Sequence, residues 1–176
     1  MFINTFMNQK FSLRKIGPKE APQFFQLRLL ALKTDPNAFV AILEEEEQLS
    51  PADVENYLRK NYVIGAFTQN NQLLGTLVYM EQERQKFKHI GILGGMYVHP
   101  EFRGCGIGKK LLASMLQNLQ KIGHLYSLQL KVVTDNLPAI RLYESAGFSI
   151  WATEKNALLH GGNFFDQHHM ALQFFP

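Results

Sequence analysis

Between Arg103 and Gly108 the chain carries an arginine and three glycines at alternate positions, Gly104, Gly106 and Gly108. This stretch stands between an apolar run ending at Val98 and a helix-like pattern through Lys109, Lys110, Leu111 and Leu112. Glycine lets the main chain adopt left-handed conformations and lets a ligand approach the backbone closely. The first turn of a helix has N–H groups without intrahelical acceptors, at the positive end of its dipole. Together these features make a place for phosphate. The spacing excludes two common phosphate loops. A P-loop needs G-x-x-x-x-G-K-[ST], and Arg103 stands where its first glycine belongs. A dinucleotide fingerprint needs G-x-G-x-x-G, whereas these glycines read G-x-G-x-G.

A second constellation lies downstream. Leu128, Leu130 and Val132 alternate as a strand does, and Asn136 suits a helix N-cap with Pro138 in the first turn. Ala139, Leu142, Tyr143 and Ala146 then recur at helical spacing, and Gly147 suits a left-handed terminator.

The pattern R-x-x-G-x-G in Arg103 to Gly108, after a strand that ends at Val98 with Pro100 two residues on, closely resembles the acetyl-CoA loop of the GNAT family of N-acetyltransferases. The pattern N-x-x-A-x-x-x-Y-x-x-x-G-F, from Asn136 to Phe148, is similar to the family's second signature, and the two stand in the family's order. The resemblance implies that Arg103, Gly104, Cys105, Gly106, Ile107 and Gly108 hold the pyrophosphate of acetyl-CoA, mainly through backbone N–H groups. It implies that main-chain groups of Met96 and Val98 pair with the pantetheine arm and help orient the thioester. It makes Asn136 both helix cap and pantetheine contact. Acetyl transfer needs a neutral amine, stabilisation of the developing oxyanion and a proton for the departing thiolate. By resemblance Tyr143 is the catalytic proton donor.

One departure stands out. Many relatives carry a glutamate where this chain has Ile92, and the segment from Ile90 to Gly95 has no titratable side chain. Glu81, Glu83 and His89 flank it and could act only through water. The absent glutamate leaves a second reading open, a non-catalytic acyl-CoA-binding or regulatory module on the same fold.

The elements that must position these groups are set by periodicity and punctuation. A strand is expected over Phe11 to Gly17, and a helix from Pro18 to Thr34, stopped by Asp35 and Pro36. Ser50, Pro51 and Asp53 open another helix. Tyr62 to Thr68 and Leu73 to Gln82 form a hairpin about Asn70 and Asn71. A strand over His89 to Val98 precedes the helix Gly106 to Ile122, the strand Leu125 to Val133 and the helix Asn136 to Ala146. Strands over Phe148 to Thr153 and Phe164 to Phe174 complete the chain. This order is an α+β arrangement with a mixed sheet. The resemblance makes it a mostly antiparallel central sheet between helices, a three-layer α/β/α domain over residues 1–176. It also places the acceptor pocket among Pro18 to Lys60 and Lys155 to Phe165.

Composition narrows the partners. The chain has 176 residues, 46% hydrophobic and 19% charged, as in a globular domain. A net charge of +3 without a basic run suits an anionic co-substrate and gives nucleic acid little to hold. Cys105 is the sole cysteine, which excludes an intrachain disulfide, and no His with Asn or Asp is indicated beside it to make it a nucleophile. No apolar run reaches the roughly 18 residues of a membrane span, and Met1 to Lys10 lacks a signal-peptide pattern, so the cytoplasm is expected. His160, His168 and His169 do not make a metal site, because adjacent strand residues face opposite ways. The run Glu44 to Glu47 could draw a cationic amine, but such runs are usually solvated. The resemblance implies a small-molecule or protein amine as acceptor, and a homodimer is left open.

Overall fold

Residues 11–174 are described by the computed structural model. In chain order the elements are β1 (Phe11–Lys15), α1 (Ala21–Thr34), α2 (Leu43–Glu46), α3 (Pro51–Lys60), β2 (Tyr62–Thr68), β3 (Leu73–Glu81), β4 (Ile90–Val98), α4 (Ile107–Leu119), β5 (Ser127–Val133), α5 (Leu137–Ser145), β6 (Ser149–His160) and β7 (Asn163–Gln173). The strands form a seven-stranded sheet in the order β1-β2-β3-β4-β5-β7-β6. Neighbours are antiparallel except β4 and β5, which are parallel.

Local chemistry explains most boundaries. The Ser50 hydroxyl accepts from Asp53 N–H, and the Asp53 carboxylate accepts from Ser50 N–H, a reciprocal cap that opens α3. Pro18 to Glu20 forms a short 3-10 turn, with the Gly17 N–H bonded to the Glu20 carboxylate, so α1 starts three residues later than its apolar spacing predicts. It stops at Thr34, ahead of Pro36, as expected. Asn71 supplies the left-handed residue of the β2–β3 turn at φ 63°.

Two apolar clusters cover the two sheet faces. On one, Leu111, Leu112, Met115 and Leu119 of α4 and Ile140 and Tyr143 of α5 pack on Leu77, Leu93, Leu128 and Met170. On the other, Phe24, Leu27 and Ala31 of α1 and Val54 and Leu58 of α3 pack on Val63, Phe67, Val78 and Tyr97. The result is the expected three-layer arrangement. Among the described residues no helix is long and apolar enough to cross a membrane.

The C-terminal hairpin departs from expectation. β6 extends to His160 rather than ending at Thr153, and turns through Gly161 and Gly162 at φ 56° and 78°. Its polar half, Glu154 to Asn156, lacks an apolar alternation, and pairing with β7 rather than burial holds it extended. The acidic run also does more than predicted, since it forms the one-turn α2.

Leu111 is fully buried beneath α4, the helix that carries the glycine loop. Leu111→Ala is expected to lower unfolding free energy by about 2–5 kcal/mol, read from urea denaturation.

Candidate active site

β4 and β5 register only at Ile90↔Ser127, Gly91↔Leu128 and Ile92↔Gln129. Beyond these, β4 runs on to Val98 without a partner on that side, while β5 continues to Val133 paired with β7. A wedge-shaped cleft opens between two parallel strands, and the glycine loop stands at its wide end.

β4 is bulged where it faces the cleft. Gly94 pairs with Val78 and Tyr97 with Thr76, so Gly95 and Met96 oppose Leu77 alone. Gly95 takes φ +57°, and its carbonyl accepts from the Thr76 hydroxyl at 3.1 Å. The extra residue reverses the facing of the strand from Met96 onward. Leu93 belongs to the α4 cluster, whereas Tyr97, an even number of residues on, belongs to the α1/α3 cluster. Periodicity alone conceals this; the adjacent Gly94 and Gly95 inside a strand pattern are its signal.

In the loop, Gly104 and Gly106 adopt φ +78° and +76°, and a Cβ at either would meet nothing within 4 Å. The demand there is conformational, with open space above the backbone. Gly106 is the N-cap of α4, and the first helical bond runs from Lys110 N–H to its carbonyl. No side chain caps this end, so the N–H groups of Ile107, Gly108 and Lys109 are free to meet an anion. Ile107 itself is buried and offers only main chain. Gly108 is different: a Cβ there would make ordinary contact with Leu142 at 3.5 Å, so it serves packing. Cys105 Sγ lies 3.8 Å from the Arg103 carbonyl.

Arg103 turns back into the protein. Its Nε donates to the Val98 carbonyl at 3.1 Å, and its two Nη atoms contact both Asp35 carboxylate oxygens at 2.6 and 3.4 Å. Burial raises the Asp35 pKa, but hydrogen bonds from Arg103 and Thr34 outweigh it and hold the carboxyl below its usual range. Thr34 also shares a 2.9 Å hydrogen bond with the Tyr97 hydroxyl. The loop is thereby tied to the C-terminus of α1 and to β4, through contacts 63 and 68 residues apart in the chain.

On the α1 face, next to the bulge, lies a partly open pocket of about 190 Å³. Phe24, Arg28, Phe39, Glu46, Tyr57, Gly95 and Tyr97 are among the residues around it. Residues of the opening helices line it. The late hairpin stands apart from it, where His160 Nδ1 meets Asn37 Oδ1 at 2.8 Å and folds the hairpin onto the turn after α1.

A family profile described as the acetyltransferase (GNAT) family matches residues 21–148. The chain belongs to the GNAT family. The L-amino acid N-acetyltransferase AaaT of Escherichia coli is 28% identical over 102 residues, covering 58% of this chain and 62% of that protein, so the likeness spans less than two-thirds of that relative. A GNAT acetyltransferase from Streptococcus pneumoniae superposes with TM-score 0.84 at 25% identity, over 94% of this chain and 100% of that one. A Salmonella typhimurium protein, described as a putative acetyltransferase with its cofactor acetyl-CoA, has the same fold at TM-score 0.81 and 19% identity, over 93% and 94% of the two chains.

In this GNAT domain the second signature sits across the cleft from β4. Asn136 Oδ1 accepts from Ala139 N–H at 3.2 Å, the expected cap, while its Nδ2 has no partner among the described residues. Tyr143 is 7% exposed and meets Phe148 edge-on at 5.8 Å. Its hydroxyl has no hydrogen-bond partner among the described residues, and burial pushes its pKa far above the ordinary phenol value. Of the water-mediated base candidates, Glu81 lies 3.4 Å from His124, and Glu83 pairs with Lys60, whose hydrogen bond lowers the Glu83 pKa. His168 and His169 turn to Thr153 and Glu154.

The bulge predicts a contrast between neighbours. Gly95→Ala would force a left-handed alanine whose Cβ lies 2.8 Å from Val78 Cγ2, whereas a Cβ at Gly94 meets only the flexible Met80 Cε at 3.0 Å. Gly95→Ala should cost about 1–3 kcal/mol of stability, and Gly94→Ala well under half of that, compared by urea denaturation.

Proposed function

We propose that this domain moves an acetyl group from acetyl-CoA to a small-molecule primary amine by direct attack within a ternary complex. The observation that carries the reading is the coincidence, at one cleft, of an uncapped helix start behind two left-handed glycines and a buried phenol on the opposite wall. The residues fit the co-substrate: open backbone N–H groups suit a pyrophosphate, and a cleft with unpaired strand edges suits an extended amide-bearing arm. When bound, acetyl-CoA supplies an activated acyl group on sulfur.

Ile107, Gly108 and Lys109 N–H groups hold the pyrophosphate, while Arg103, engaged with Asp35 and Val98, braces the loop. Main-chain groups of Met96 and Val98 and the free Asn136 amide hold the pantetheine arm. The pocket beside Gly95 presents the amine to the thioester carbonyl. As the N–C bond forms and the C–S bond breaks, Tyr143 gives its proton to sulfur, and the proton released by the amine returns through solvent to restore the phenol. Burial keeps this phenol neutral and also makes it a weaker acid, so it meets the departing sulfur first as a hydrogen-bond donor. Direct transfer is supported by the position of the sole thiol: Cys105 lies in the phosphate loop and does not line the acceptor pocket. The names of relatives such as the L-amino acid N-acetyltransferase favour a small amine over a protein one. Ile92, where a carboxylate base is missing, is the observation that favours the alternative of a non-catalytic acyl-CoA-binding module.

Substitutions in the loop and at the phenol test this reading separately. Gly106→Val, which must place a β-branched residue at φ +76°, should abolish CoA binding in calorimetric titration while the far-ultraviolet circular dichroism stays native, and Cys105→Ala should bind like the parent. Tyr143→Phe should lower kcat by about 100-fold with CoA affinity retained, measured by thiol release and titration. Undiminished turnover would exclude Tyr143 as the proton donor, and no turnover of any amine by the parent would favour the binding module.

A further inference from the structure

The pocket beside Gly95 is mostly apolar, and of its polar lining Asp53 is tied to Ser50 and Thr76 to the Gly95 carbonyl, which leaves the Arg28–Glu46 pair. Arg28 on α1 and Glu46 on α2 face each other across 3.1 Å, with side chains only 22% and 18% exposed. The Arg28 guanidinium lies 5.1 Å from the Phe39 ring centre, which fixes its plane against an aromatic wall. A guanidinium carries five N–H donors, and among the described residues Arg28 uses only the one bonded to Glu46. A half-buried cation with unspent donors in an apolar pocket is built to receive an anion, because its own desolvation is answered only when those donors are met. The fork of donors matches a carboxylate in particular.

The remaining walls set the rest of the ligand. Phe24 and Tyr57 stack at 5.8 Å, and Tyr97 meets Phe39 at 6.4 Å, so the occupant's body lies among aromatic faces. A volume near 190 Å³ exceeds the roughly 150 Å³ of an apolar cavity that admits benzene. The pocket therefore takes a phenyl ring or a branched aliphatic chain. An occupant that keeps both its carboxylate and its amine within this volume holds them only a few bonds apart. Arg28 and Glu46 present one charge of each sign side by side, as a zwitterion's complement would, and Asp53, held by Ser50, adds a second carboxylate to the lining.

Resting on the acetyl-transfer reading, we propose that the acceptor is a free α-amino acid with an aromatic or branched apolar side chain, whose carboxylate is bound by Arg28. Glu46 holds the guanidinium toward the pocket and meets the ammonium as it arrives. The side chain lodges between Phe24, Phe39, Tyr57 and Tyr97, and the amino group faces the bulge at Gly95. Specificity then rests on Arg28, which discriminates amino acids from amines of the same body.

The experiment compares L-phenylalanine, L-leucine and L-methionine with phenethylamine, isoamylamine and 3-(methylthio)propylamine at saturating acetyl-CoA. In the parent, kcat/KM for each amino acid should exceed that of its decarboxylated partner by about 10- to 100-fold, the range for a hydrogen-bonded charge pair. Arg28→Met should bring that ratio close to one, and Arg28→Lys, which keeps the charge without the fork, should leave an intermediate ratio. Calorimetric titration of L-phenylalanine into the CoA-bound protein supplies a readout apart from turnover, and Arg28→Met should remove the binding. The proposal is overturned if decarboxylated amines are used as well as amino acids, if an N-terminal phenylalanyl dipeptide outruns free phenylalanine, or if Arg28→Met lowers both substrate types equally. Turnover of amines with none of amino acids would sink this inference and leave acetyl transfer standing. Arg28-dependent phenylalanine binding without any turnover would support the pocket assignment and sink acetyl transfer.

Discussion

Two parallel strands that part company leave main-chain N–H and C=O groups with no ladder to join, and buried groups of that kind must find partners. That constraint shapes the centre of this protein. β4 loses β5 after Ile92, with helices packed on both faces of the sheet. The bulge at Gly95 and Met96 rotates the strand, the Thr76 hydroxyl takes up the Gly95 carbonyl, and Arg103 Nε takes up that of Val98. What these side chains leave unanswered along the cleft is available to an extended ligand. The binding site is thus a defect in the sheet, stabilised from its edges and left open along its middle.

The two layers of helix divide the labour. α4 and α5 cover the face on which the glycine loop and Tyr143 lie, and α1 to α3 cover the face with the aromatic pocket. The reversal at the bulge lets one strand serve both, with Leu93 committed to one core and Tyr97 to the other. Asp35 then links the layers. It ends α1 and grips Arg103, so the pocket wall and the phosphate loop are held in one frame. Surface pairs of this kind contribute little to global stability, and the value of this one lies in geometry.

Much of this was legible from residue types and spacing. The glycines at 104 and 106, the Asn136 cap, the Ser50 capping box and the stop before Pro36 are local devices, and each acts within a few residues of itself. The splay of β4 from β5 was not legible, because it depends on where two distant strands stop pairing. The pairings Asp35 with Arg103 and Arg28 with Glu46 join segments that no period connects. The acidic run illustrates the limit well: four glutamates read as one solvated patch, yet the single turn of α2 directs Glu46 alone to Arg28. The second half of β6 escaped for the opposite reason, since its polar residues carry no alternation to read.

That same hairpin shows how the sheet is terminated. Among the described residues β6 is the outermost strand, twelve residues long, and its register against β7 shifts between Ile150 and Ala152 and again between Glu154 and Leu158. Asn156 within the second irregularity sits at φ 53°. A strand from another molecule laid along this border would find its ladder interrupted twice, beside Glu154 and Lys155, whose charges are paired with Lys131 and Asp166 on the inner strands. Long exposed borders otherwise act as templates for fibrous growth. In this chain the irregular backbone of β6 caps the sheet as a selvedge finishes cloth, and propagation through that side comes to an end there.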